Sequence, residues 1–159
     1  MTLVEKTRAA LAAAPLFSSG RQLLAVDESG QRLSCELSGL DTFGCAFVRF
    51  ELHSDALSEA TIEQIRNISD KLSARLNYLL EPITAVEADA EQCVVQMRSN
   101  PPQRDEQRTS YYELLVRRGG ELSLCRWTKD PGDSRQPLPA HVTREVFLRL
   151  VGDFSAAAA

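Results

Sequence analysis

DALSEATIEQIRNISDKLSARLNYLL, residues 55–80, is the stretch on which the reading of the fold turns. Projected at about 100° per residue, Ile62, Ile65, Ile68, Leu72, Leu76, Leu79 and Leu80 fall in a stripe roughly 120° wide, as on a helix lying on a core. The opposite face is polar, with Glu59, Glu63, Asn67, Asp70, Lys71 and Asn77. Ser54, Asp55 and Ser58 are candidate N-caps, and Pro82 disfavours helical geometry at Glu81. The pattern predicts one long amphipathic helix over Asp55 to Leu80.

Upstream, Thr2-Leu3-Val4-Glu5 fits a capping box, which opens a short helix that Pro15 stops. Strands are predicted at Gln22 to Val26, Gln31 to Leu37 and Phe43 to His53. In the last of these the alternation changes phase. Either Gly44 marks a bulge or the start of the strand is covered on both faces.

Downstream, period-two patterns run over Ile83 to Ala88, Cys93 to Arg98, Tyr111 to Arg117 and Glu121 to Lys129. Asn100 to Arg108 and Asp130 to Pro139 read as loops. A last helix is predicted from Ala140 or Thr143 to Phe154. The expected fold is α+β: a mainly antiparallel sheet of about six or seven strands, a long central helix packed on it, and shorter N- and C-terminal helices. Residues 1–159 are expected as a single domain, with 155–159 a disordered tail.

Hydrophobic residues at 43% and charged residues at 25% are the balance of an ordinary globular chain. The formal net charge of −4 argues against non-specific binding to nucleic acid or anionic membrane. No run approaches the 18 or so apolar residues of a membrane span, and the N-terminal segment is a poor signal peptide, so a cytoplasmic location is expected.

Cys35, Cys45, Cys93 and Cys125 are scattered, without CxxC or metal-ligand spacing, and read as reduced, buried apolar residues; two disulfides are the alternative. Cys45 and His53, eight residues apart on one strand, would lie roughly 26 Å from each other, beyond any hydrogen bond. Glu87, Asp89 and Glu91 read as a charged strand end that discourages edge pairing. No GxGxxG, P-loop, GxSxG or HExxH occurs, and no catalytic residue, cofactor or metal is assigned.

Arg98, Arg104, Arg108, Arg117, Arg118, Arg126, Lys129 and Arg135 are interleaved with Tyr111, Tyr112 and Trp127, as in some single-strand binders. Asp105, Glu106, Glu113, Glu121, Asp130 and Asp133 nearly cancel that charge, which argues against nucleic acid.

With Gly119-Gly120 as a two-residue turn, Tyr112 faces Trp127 on one side of the hairpin, and Glu113 faces Arg126, Leu115 faces Leu124 and Arg117 faces Leu122 on the other. Leu115, Arg117, Leu122, Leu124 and Arg126 then form a leucine patch framed by arginine, a candidate protein interface. The leading expectation is a non-enzymatic protein acting through protein contacts, as a homodimer or with another protein. The alternative is a small-molecule-binding protein or enzyme with a pocket between the sheet and the 100–108 and 130–139 loops. In element order and acidity the chain is also similar to type III secretion chaperones, a resemblance that implies a small dimeric binding protein.

Overall fold

In the computed structural model, which describes residues 1–79, 81–99 and 102–159, three helices lie over one antiparallel sheet of ten strands. The helices are α1 (Leu3–Ala13), α2 (Ile62–Arg75) and α3 (Arg144–Ala157). The strands are β1 (Gln22–Glu28), β2 (Gln31–Leu40), β3 (Gly44–Ser54), β4 (Ile83–Asp89), β5 (Val94–Ser99), β6 (Gln103–Asp105), β7 (Arg108–Arg117), β8 (Glu121–Lys129), β9 (Gln136–Pro137) and β10 (Ala140–Thr143). The main path is β1-β2-β3-β8-β7-β5-β4, with β10 beside β3, β6 beside β7 and β9 beside β8.

This corrects the expected six or seven strands under one long central helix. The additional strands, β6, β9 and β10, come from segments read as loop or helix start, whose prolines allow only two to four residues of pairing each. The 55–80 stretch is also broken up. Asp55–Leu57 is a single 3-10 turn, and α2 is capped by Thr61, whose hydroxyl accepts from Gln64 N at 3.2 Å while Gln64 Oε1 accepts from Thr61 N at 2.8 Å. That capping box sets the first helical residue at Ile62, seven past the expected Asp55. Leu76 leaves helical geometry before Pro82 is reached, yet Leu76 and Leu79 stay buried. Leu80, Asn100 and Pro101 lie outside the described residues.

α2 has 14 residues, no more than α3, and the middle place belongs to α3, which packs against both α1 and α2. The layer runs α1 over β1, α3 over β3 and β10, and α2 over β4, β5 and β7. Phe47, Phe50, Phe147 and Phe154 tie α3 to β3 with ring centroids 4.9–6.3 Å apart. Such tilted and edge-on pairs each add about 0.5–1.5 kcal/mol beyond area burial. The end of α3, expected as a disordered tail, is docked: Ser155 Oγ and carbonyl bond Gln31, Ser54 Oγ donates to Ala158 O, and Ala157 and Ala158 are buried.

The phase change in β3 is a bulge, located at Val48 rather than at Gly44. Glu36 pairs with Arg49 and Leu37 with Phe47, so Val48 has no partner and apolar residues on both sides of it face the helices. Gly44 serves a different purpose. A Cβ there would collide with the Val142 carbonyl of β10.

β3 pairs with β8 only over Phe50–His53; nearer its start it pairs with β10. β9 and β10 are joined by Leu138-Pro139, and both strands are antiparallel to neighbours that are antiparallel to each other. The segment must therefore reverse at Leu138-Pro139. It fills the fork where β3 and β8 part as a V. Among the described residues the opposite sheet face carries no helix.

Candidate functional site

The β7–β8 hairpin decides which residues meet. Arg117 pairs with Glu121, so the turn has three residues, Arg118 to Gly120, instead of two. Gly119 and Gly120 have φ of +94° and +93°, and a Cβ on Gly120 would collide with the Ser54 carbonyl. Gly120 O accepts from Ser54 N at 2.8 Å, which draws the turn against β3. One extra turn residue shifts every expected pair by one and exchanges the faces of β8.

The five proposed interface residues consequently do not share a surface. Leu122 and Leu124 are 0% exposed and belong, with Arg126, to the helix-covered face; Leu115 and Arg117 belong to the open face. Tyr112 pairs with Arg126 on the covered side, while Tyr111 pairs with Trp127 on the open side.

Where the helix layer stops, the covered face opens into a cleft of about 770 Å³. β7 and β8 supply its floor through Ser110, Tyr112 and Arg126; Gln103 and Asp105 of β6, with Pro102, form one wall; Leu138 and Pro139 at the tip of the V form the other. Leu79 and Glu81, just beyond α2, close the helix side.

Arg126 is the centre of this site. Its guanidinium lies 4.6 Å from the Tyr112 ring centroid, donates to both Glu81 oxygens at 3.2 and 3.3 Å, and donates to Gln103 at 2.9 Å. The Arg126 and Glu81 side chains are each only 11% exposed. Forked, charge-assisted bonds in this setting fix the planar cation in one orientation. Burial pushes the Tyr112 hydroxyl above its ordinary pKa, so it remains a neutral phenol. Arg108, also on the cleft, is held by Asp130 at 3.0 Å.

A second cleft, of about 730 Å³, lies beside β2, β3 and β10. Its charged groups are already engaged: Arg21 with Glu36, and Asp41 with the backbone N–H groups of Phe43 and Gly44. His141 and Pro139 line both clefts.

The four cysteines are free thiols. Burial pushes the Cys35 thiol well up and Cys45 up to about 12, and it raises Cys125 despite the nearby Arg49 and Arg135; none of these three is a ready thiolate nucleophile. Among the described residues no cluster of three or more His, Cys, Asp or Glu is arranged to hold a metal ion, and no helix is long and apolar enough to cross a membrane.

Of the cleft, sequence reading reached Arg126, Tyr112 and the two flanking loops. It missed Glu81, read only as the residue before Pro82, because nothing local ties it to a strand 45 residues away. Compared with protein-family models, curated proteins and solved structures, the chain matches none of them.

Proposed function

We propose that this protein is a small-molecule-binding protein whose site is the cleft between the sheet and the 102–108 and 130–139 segments. The observation that carries this reading is the Arg126 guanidinium, fixed by Glu81, Gln103 and Tyr112 at the floor of a cavity of ligand size. Arg126 and Arg108 are balanced on the lining by Glu81 and Asp105, while Leu79, Leu138, Pro102 and Pro139 are apolar. Such a lining fits a ligand with an apolar body and no net charge, zwitterionic or neutral, because a net charge would stay unmatched on desolvation.

Ligand-observed NMR with a panel of free amino acids and nucleosides tests this, in wild type and in Arg126→Gln. The reading expects saturable binding of at least one compound, weakened tenfold or more in a variant that keeps its circular dichroism. Binding indifferent to Arg126→Gln, or none in the panel, counts against it.

A second reading, a contact protein or homodimer, is favoured by Leu16 and Phe43, which are 59% and 84% exposed, Phe43 on the second cleft. Light scattering of wild type and Phe43→Ser tests it: a dimer must become a monomer. The free thiols support a reducing, cytoplasmic setting for either reading.

A further inference from the structure

The open face of the sheet carries a second arginine site, on the side opposite the cleft and joined to it through the 130–139 segment. Glu113 points away from the helices, yet its side chain is only 5% exposed. Its carboxylate accepts from Gln96 Nε2 at 2.7 Å and from both terminal nitrogens of Arg135 at 2.8 and 3.4 Å. The same guanidinium lies 3.9 Å from the Trp127 ring centroid and donates to the Tyr111 hydroxyl at 3.4 Å. A buried carboxylate, an aromatic face and a phenol oxygen thus surround one planar cation. These three groups stand on the regular, paired strands β7 and β8, whereas Arg135 arrives from an exposed loop that precedes the two-residue strand β9.

We infer that Glu113, Trp127 and Tyr111 form a guanidinium-binding cage that this chain fills with its own Arg135, and that an external alkylguanidinium group occupies when the 130–135 loop lifts. The cage is selective for a guanidinium: the fork matches two carboxylate oxygens while the plane lies on an indole, a combination that an ammonium cannot reproduce. Arg98, whose guanidinium lies 5.0 Å from the Tyr111 ring centroid and whose Nε is 3.8 Å from Glu113, is too far to hydrogen-bond and flanks the cage without filling it. The tethered Arg135 competes with any visitor at an effective concentration of roughly millimolar or more. Removing it leaves a buried carboxylate without its main counter-ion, the condition under which an added cation binds best.

Trp127 is the single tryptophan of the chain, so its fluorescence reads the cage directly. Arg135→Ala is titrated with methylguanidinium, then with methylammonium and with an acetylated, amidated arginine tripeptide, while circular dichroism monitors the fold. The expected result is a saturable change in Trp127 emission with methylguanidinium, at least about tenfold weaker with methylammonium, weaker still in wild type, and absent in Arg135→Ala/Glu113→Gln. A tripeptide that binds more tightly than methylguanidinium assigns the visitor to a protein's arginine; the reverse assigns it to a small molecule. If Arg135→Ala does not fold, Arg135→Lys opens the same cage and must show the same preference for methylguanidinium. A folded variant with no saturable response, or with equal response to methylammonium, overturns the inference.

Discussion

The β7–β8 hairpin carries two arginine sites on its opposite faces, each built from an arginine, an aromatic ring, a glutamate and a glutamine. On the covered face Arg126 lies on Tyr112 and is held by Glu81 and Gln103; on the open face Arg135 lies on Trp127 and is held by Glu113, itself bonded by Gln96. The difference is which partner belongs to a strand. Arg126 is part of β8 and 11% exposed, so it is a fixed wall of a cavity. Arg135 comes from a loop and is 37% exposed, while its carboxylate is the buried, strand-borne partner. The first arrangement presents a cation to a ligand. The second presents a socket for a cation.

The largest expected effect tests which face is the core. Leu124→Ala should destabilise by about 2–5 kcal/mol in urea denaturation, as for a fully buried leucine, and Leu124→Glu should abolish folding. Leu115→Ala, on the open face of the same hairpin, should cost under about 1 kcal/mol. Equal costs would erase the distinction between the faces.

Next in size is the covered pair. Glu81→Gln leaves the Arg126 charge largely buried without its partner and should cost about 2–3 kcal/mol, while Glu81→Leu/Arg126→Met should recover part of the loss. The open pair should matter less. Arg135→Ala should cost about 1–2 kcal/mol: it strands the buried Glu113 carboxylate, but Gln96 still donates to it and Arg98 remains nearby.

The smallest effect is one of pH. Burial pushes the Glu113 carboxyl up, but hydrogen bonds from Arg135 and Gln96 and the charges of Arg135 and Arg98 outweigh it and hold the carboxyl below its ordinary value. A depressed folded-state value means that the pairing stabilises the fold above the ordinary carboxylate pKa of about 4.3 and loses that contribution as pH falls further. Between pH 6 and 3, the stability difference between wild type and Glu113→Gln should shrink.

What the sequence made legible was local. The Thr2–Glu5 box forms both of its bonds, at 2.8 and 3.1 Å, and the alternation of Leu33, Cys35 and Leu37 marks a strand face that is buried. Thr61-Ile62-Glu63-Gln64 is the same kind of signal and marks the start of α2, whereas the apolar stripe runs past its C-terminal end; Leu76 and Leu79 are apolar because the core needs them, not because they are helical.

The hairpin pairing was not legible, because two glycines serve a two- or a three-residue turn equally well. The choice is made by Ser54, a distant residue whose N–H bonds Gly120 O and whose carbonyl leaves no room for a Cβ. The short strands β9 and β10 are likewise products of the fork between β3 and β8, which no local pattern encodes. The expected pairing of Arg126 with Glu113 and of Trp127 with Tyr112 fails for the same one-residue reason.

That register is tested most directly by acrylamide quenching of Trp127, the only tryptophan, in wild type, Arg135→Ala and Arg126→Gln. With a three-residue turn Trp127 lies under Arg135 on the open face, so quenching rises in Arg135→Ala and stays at the wild-type level in Arg126→Gln. Quenching that is unchanged in Arg135→Ala, or that rises only when Arg126 is replaced, would put Trp127 on the covered face and contradict the separation of the two arginine sites.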